Sequence, residues 1–218
     1  MKNVTLPRYT IGPEALNDLE RVVSAYGRKV ALIHGAKAYA ACQALLTPAL
    51  GSLDVVREVC YGHEATYENV ARLTEDPDVR RADVLVGIAG GKCLDTVKLA
   101  GDQQGKLVVT IATIASTCAA VTKISIMYNA DGSFKDIPKL KAAPVHCLIP
   151  TSVIAEAPIQ YLWAGIGLSL IHISSKPDKN FNVLQQFHLD VQPGIILCLS
   201  DELIPFNRQS WYCPVSVL

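Results

Sequence analysis

The sequence predicts an α/β fold built on a parallel sheet, and three observations carry that expectation. Short apolar runs at 30–33, 84–88, 107–111 and 145–149 suit strands buried on both faces. Helical patterns fall between most of these runs, and such alternation argues for parallel strands covered by helices. Glycines follow two of the strands at once, Gly35 and the pair Gly90–Gly91. Ligands in such sheets collect at those carboxyl ends.

Taken in order, Gly12-Pro13 begins a helix, with Pro13 where a missing N–H costs nothing. Leu16, Leu19, Val22, Val23 and Tyr26 recur at helical spacing until Gly27 stops it. The strand at 30–33 turns through Gly35-Ala36-Lys37 into an alanine-rich helix reaching about Leu46. Residues 54–60 read as a strand and 67–73 as a helix closed by the turn signal Asp76-Pro77-Asp78. After 84–88, its glycine turn and helix, and the strand 107–111, Asn129-Ala130-Asp131-Gly132 marks a β-hairpin between 124–128 and a stretch near Phe134. The strand 145–149 leads through Pro150-Thr151-Ser152 to helical patterns that include 157–164.

Composition narrows the function classes. The chain has 218 residues, half of them apolar and 18% charged, enough for a substantial core. Twenty basic residues balance twenty acidic ones, so charge gives no case for nucleic acid or an anionic membrane. No apolar run spans a bilayer and no signal-peptide pattern opens the chain. Seven cysteines are scattered and never form a C-x-x-C pair, which reads as reduced thiols in a cytoplasmic protein.

The stretch 84–98, Val-Leu-Val-Gly-Ile-Ala-Gly-Gly-Lys-Cys-Leu-Asp-Thr-Val-Lys, organises the rest. A strand that turns through glycines into a helix leaves free backbone N–H groups where an anion can sit. Gly90 and Gly91 leave room for a diphosphate, and Lys92 adds a mobile positive charge. A tight turn without a ligand fits the spacing equally well, because this is not the G-x-G-x-x-G fingerprint. A second stretch, Thr113-Ile114-Ala115-Ser116-Thr117, places three hydroxyls after a strand, where hydroxyls and amides can hold phosphate or ribose oxygens. Alone, it reads more ordinarily as a loop capped by its own side chains. The two stretches occur together and in order, with a helix and a strand between them.

With Ala164-Gly165-Ile166-Gly167, these residues resemble the iron-containing alcohol dehydrogenase superfamily, in its glycerol dehydrogenase and hydroxycarboxylate dehydrogenase-like branch, over roughly residues 1–167. The resemblance implies a Rossmann-like N-terminal domain of the dehydroquinate synthase-like fold, binding NAD or NADP. It implies an all-helical C-terminal domain, a divalent metal (Zn or Fe) between the two, and a homo-oligomer when intact. On this basis 1–155 is the dinucleotide-binding domain, 156–167 begins the helical domain, and the rest of that domain is missing. Carried over by motif, the diphosphate lies on Gly90, Gly91 and Lys92, with Asp95 in the same signature. Thr113 and Ser116 contact the nucleotide, and Thr122, Ile124 and Tyr128 flank the nicotinamide.

Three departures shape the expected chemistry. Ala89 stands where the family usually has a third glycine. Gly35-Ala36-Lys37 offers no carboxylate for the adenosine ribose, which loosens the preference for NAD and admits NADP. Cys118 replaces the polyol-binding aspartate of glycerol dehydrogenases. A thiol cannot accept hydrogen bonds as a carboxylate does, so Thr-Cys-Ala-Ala looks closer to relatives that reduce 2-oxo acids, with Cys118 in the substrate pocket. The sequence offers no catalytic nucleophile.

The resemblance stops at Gly167. Leu168 occupies the place of the family's first metal-ligand aspartate, and residues 168–218 match nothing expected of it. Asp190, Asp201, Glu202, His172 and His188 show no ligand spacing. The run 168–173, Leu-Ser-Leu-Ile-His-Ile, is what one frame of a sequencing-library adapter would encode, so we read the tail as chimeric or frameshifted. The expected whole protein is an NAD(P)- and metal-dependent oxidoreductase of small alcohols, polyols or 2-hydroxy acids. The chain itself is then an inactive fragment with Leu162, Trp163 and Ile166 left as an apolar patch. The rival is a non-catalytic nucleotide-binding module. A polyol-phosphate or dehydroquinate-synthase-like enzyme is disfavoured, because 118–120 offers no basic residue for a substrate phosphate.

Overall fold

A computed structural model of the chain describes residues 7–173 and three short strands, Ile195–Cys198, Ile204–Pro205 and Trp211–Pro214. The chain divides into two compact units, Met1–Ala157 and Pro158–Leu218. Asp190, Asp201, Glu202 and His188 lie outside the described residues.

The first unit begins with β1 (Arg8–Gly12), a 3-10 turn (Ala15–Asp18) and α1 (Leu19–Ser24). It continues through β2 (Lys29–His34), α2 (Ala36–Ala49), β3 (Asp54–Cys60), α3 (Tyr67–Glu75) and α4 (Pro77–Arg81). Then come β4 (Val84–Ala89), α5 (Gly91–Gln104), β5 (Leu107–Ala112) and a second 3-10 turn (Ala119–Val121). The hairpin of β6 (Met127–Tyr128) and β7 (Phe134–Asp136) precedes β8 (His146–Pro150) and α6 (Thr151–Glu156). The second unit opens with α7 (Ile159–Ile173), on which Leu162, Trp163 and Ile166 are exposed. Its three short strands form a small sheet.

Six strands of the first unit form one parallel sheet in the order β1-β8-β5-β4-β2-β3. Because successive side chains of a strand point to opposite faces, each strand feeds two cores. Val84, Val86 and Ile88 pack with Leu32, Leu46 and Ile111 on one face. Leu85 and Ala89 pack with Ile33, Val70, Leu73 and Val97 on the other. Each such Leu, Ile or Val contributes about 1.5–3 kcal/mol on burial. The strand order reverses between β2 and β4, since β2 leads outward to β3 and β4 leads the other way to β5.

Several expectations need correction. Gly12-Pro13 does not open a helix: Gly12 ends β1, and the apolar residues after it lie on a 3-10 turn that gives way to α1. Asp76 closes α3, as read, but also opens another helix, its Oδ1 accepting the Asp78 and Val79 N–H at 2.9 and 3.2 Å. Pro77 fits as the first helical residue because its missing N–H is not needed there. The hairpin is shorter than read, with Ile124 joined only by an isolated bridge to Lys139. The helical stretch at 157–164 is interrupted at Ala157, where the backbone is extended before Pro158.

Among the described cysteines, Cys42, Cys93 and Cys147 are buried, Cys60 is half-buried and Cys118 is exposed, all as free thiols. No described helix is long and apolar enough to cross a membrane.

Candidate functional site

Three loops meet at the carboxyl end of the sheet, where the strand order reverses. Gly35, after β2, donates its N–H to the Ile88 carbonyl at 3.2 Å, and Thr113, after β5, donates to the Ala89 carbonyl at 3.4 Å. Both bonds fall on the last residues of β4, so Gly90 and Gly91 lie between the other two loops. Gly90 is the N-cap of α5 and has extended backbone, and no side chain caps the helix. The first bond within the helix runs from the Leu94 N–H to the Gly90 carbonyl. Helix geometry therefore leaves the Gly91, Lys92 and Cys93 N–H groups without acceptors in the helix. The helix dipole adds partial positive charge at the same point.

The loop after β5 packs closely on both glycines. A Cβ on Gly90 would stand 2.4 Å from Ile114 Cδ1, and one on Gly91 would stand 3.1 Å from Thr117 Oγ1. Thr117 Oγ1 in turn accepts the Ala119 N–H, and Thr110 Oγ1, buried in β5, donates to the Ala120 carbonyl. These hydroxyls brace the loop internally and against β5, and the loop packs on the first turn of α5. Thr113 is buried, Ser116 is half-buried on the same loop, and Cys118 is exposed at the head of the 3-10 turn.

The remaining expected residues fall into two groups. Lys92 is exposed, paired with Glu64 Oε2 at 2.6 Å, with its ammonium 5.1 Å from the centre of the half-buried Tyr128 ring. Asp95 is buried and its Oδ1 lies 2.9 Å from Lys98 Nζ. That ammonium also donates to Thr122 Oγ1 at 3.2 Å, and to the carbonyls of Thr122 and Ile124. Burial pushes the Asp95 carboxyl above its usual range and the Lys98 ammonium below its own, each partner opposing the other's shift. Asp95, Thr122 and Ile124 therefore converge on a buried lysine.

A model of the iron-containing alcohol dehydrogenase family matches residues 7–156. The chain belongs to that family. Glycerol dehydrogenase of Thermotoga maritima is 34% identical over 165 residues, covering 75% of this chain and 44% of that protein. Hydroxycarboxylate dehydrogenase A of Escherichia coli is 36% identical over 138 residues, covering 63% of this chain and 38% of that one. A crystal structure of a probable glycerol dehydrogenase from Sinorhizobium meliloti 1021 superposes with a TM-score of 0.69 at 26% identity, over 77% of this chain and 46% of that one. The chain spans less than half the length of these relatives. Within the iron-containing alcohol dehydrogenase fold, the matched part is the N-terminal sheet domain.

Of the two groups that the resemblance implies for the whole protein, with the metal ligands expected outside this chain, the residues present fit the dinucleotide. A diphosphate fits the uncapped first turn of α5, where glycines keep the backbone bare and three amides need acceptors. A metal ion does not fit: among the described residues no three His, Cys, Asp or Glu side chains are grouped to hold one.

Two participants escaped the sequence reading. Lys98 ends the stretch 84–98 but has no role in that reading, and its one signal is the i, i+3 spacing from Asp95 on a helix with Leu94, Val97, Leu99 and Ala100 buried. Glu64 sits in a loop 28 positions from Lys92 and had no local signal.

Proposed function

We propose that the first unit binds a dinucleotide, NAD or NADP, with its diphosphate on the Gly91, Lys92 and Cys93 amides. In the whole protein this serves an oxidoreductase that interconverts a small alcohol, a polyol or a 2-hydroxy acid with its carbonyl compound. The observation that carries the reading is the uncapped N-terminus of α5 at the point where the sheet order reverses. Membership of the family, and relatives named for glycerol and hydroxycarboxylate oxidation, support the reaction class.

The bound nicotinamide supplies hydride acceptance and donation. This chain's residues hold and orient it. The amides and the α5 dipole take the diphosphate, and the hydroxyls of Thr113 and Ser116 lie on the loop beside it. We place the nicotinamide beside Thr122, Ile124 and Tyr128, on the segment that follows β5 and passes along α5. Cys118, exposed at the head of the 3-10 turn on the same segment, is the side chain we assign to substrate. As given, the chain is proposed to bind dinucleotide without turning over alcohol.

Calorimetric titration of the full chain with NADH and with NADPH tests this. Saturable binding to either is expected, and Gly90→Val, whose branched side chain enters the space between Ile114 and the diphosphate, should weaken it about tenfold or more. Absence of binding at millimolar dinucleotide overturns the reading. Turnover of glycerol or a 2-hydroxy acid by the purified chain would overturn the inactive-fragment part alone, and binding without turnover in a full-length sequence would favour the non-catalytic module.

A further inference from the structure

The segment from Thr117 to Tyr128 leaves the first turn of α5, runs down one flank of that helix and comes back. Thr117 lies against Gly91 at the start, with 3.1 Å from its Oγ1 to the place of a Cβ there. Tyr128 stands beside Lys92 at the return, 5.1 Å from ring centre to ammonium. Between these limbs, two turns into the helix, Lys98 Nζ holds Thr122 Oγ1 at 3.2 Å, the Thr122 carbonyl at 3.4 Å and the Ile124 carbonyl. Asp95 completes the fastening. Its carboxylate takes Lys98 at 2.9 Å and the Ile126 N–H, and its own carbonyl accepts the Ser125 hydroxyl at 2.9 Å.

We propose that Lys98 is the positioning residue for the 117–128 segment of the dinucleotide site, clamping the tip of this loop so that both limbs stand correctly against the first turn of α5. The proposal rests on the dinucleotide reading above.

The chemistry of the clamp favours positioning over mere packing. Lys98 is 2% exposed, among the largest fully buried side chains of the described residues. Taking an ammonium and a carboxylate out of water is costly, and an apolar pair of like volume commonly stabilises a fold as well or better. An apolar pair cannot fix two carbonyls and a hydroxyl in one place. The ammonium's donors are directed at the backbone of the loop tip, so its geometry sets where Thr122 and Ile124 lie. The returning limb is held to α5 through Asp95, which takes the Ser125 hydroxyl and the Ile126 N–H, whereas the Thr117 end meets α5 by packing and Tyr128 meets Lys92 by a cation–ring contact.

The test compares two probes on the full chain by calorimetry. NADH spans both sides of the site, whereas ADP-ribose presents the adenosine and diphosphate without the nicotinamide. Lys98→Met is expected to weaken NADH about tenfold and change ADP-ribose by less than about twofold. Because that variant leaves the Asp95 carboxylate buried and unpaired, Asp95→Leu/Lys98→Met is measured beside it, and the same split is expected from this neutral pair. Equal weakening of both probes would mean that the pair only supports the fold and would overturn the proposal, as would unchanged affinities in the double variant. Failure of the unaltered chain to bind either probe would remove the dinucleotide reading itself, and the proposal with it.

Discussion

Glu64 Oε2 lies 2.6 Å from Lys92 Nζ, so the lysine in the first turn of α5 is already paired with a carboxylate from a distant loop. Both side chains are partly exposed, at 49% for Lys92 and 22% for Glu64, and a pair of that kind contributes only about 0.2–1 kcal/mol to the fold. On the proposed dinucleotide reading, Glu64 would set how much positive charge a diphosphate meets. Glu64→Gln is expected to leave the melting transition nearly unchanged and to tighten NADH severalfold, more so at low salt. Lys92→Met should weaken NADH. Titrations at two ionic strengths check this, and identical affinities in all three proteins would show that Lys92 does not face the phosphates.

Stability and binding separate at the other end of the same helix. Gly105 closes α5 with φ of +64°, donating to the Asp102 carbonyl, while Lys106 N–H reaches the Gly101 carbonyl at 2.8 Å. A Cβ there would meet nothing within 4 Å, so the cost of Gly105→Ala is purely conformational. We expect a loss of about 1–2 kcal/mol, read by urea unfolding, with NADH affinity unchanged. A loss of affinity would show that the helix ends are not independent.

Asp76 supplies a pH dependence. Burial raises its carboxyl, but the Val79 and Asp78 N–H groups and the Arg57 guanidinium at 2.9 Å more than offset that, leaving it below the usual range. A carboxyl depressed in the folded state contributes stability that is present above its unfolded value of about 3.9 and is lost as pH falls through the folded value. Asp76→Ala should therefore cost about 1–2 kcal/mol near neutrality, and the gap between variant and parent should shrink at about pH 3. Melting curves at the two pH values decide it; a constant gap would show that the charge contributes nothing.

Thiol reactivity reports on the candidate site. Burial pushes the Cys42 thiol up to about 11 and the Cys93 thiol well above the usual range, whereas Cys118 is exposed. The thiolate is the reacting form, so among the described cysteines Cys118 should be alkylated first. Saturating NADH should slow that labelling. Peptide mapping after brief iodoacetamide treatment reads both, and labelling of Cys118 indifferent to NADH would place it outside the ligand's reach.

The strands that carry the site were legible because they are central. The run 54–60 matches β3, and those at 30–33, 84–88 and 107–111 fall within a residue at either end of β2, β4 and β5. Burial on both faces of β2, β4 and β5 forces continuous β-branched and apolar sequence there, whereas β3 is an edge strand with no buried residue. β1 was not legible, since Tyr9 and Ile11 are 59% and 60% exposed and its only partner strand is β8. The glycine turn could be read because close approach favours glycine. Lys98 could not, because a lysine's burial depends on carbonyls that tertiary folding delivers, and no local pattern announces them.

The pairing of the first strand with β8 has a consequence in time. Thr10 and His146, whose side chains meet at 3.0 Å, are 136 positions apart. During synthesis, β2, β3, β4 and β5 can all assemble while β1 waits without a partner. Loop closure over that span comes late, and contacts so distant in sequence slow folding. Until β8 emerges, the edge of β5 that will receive it stands open, and an open strand edge is the part of a nascent chain most prone to pair with a neighbour. The order of strands in the sheet thereby sets a window of vulnerability, which closes only when the last strand of the unit has left the ribosome.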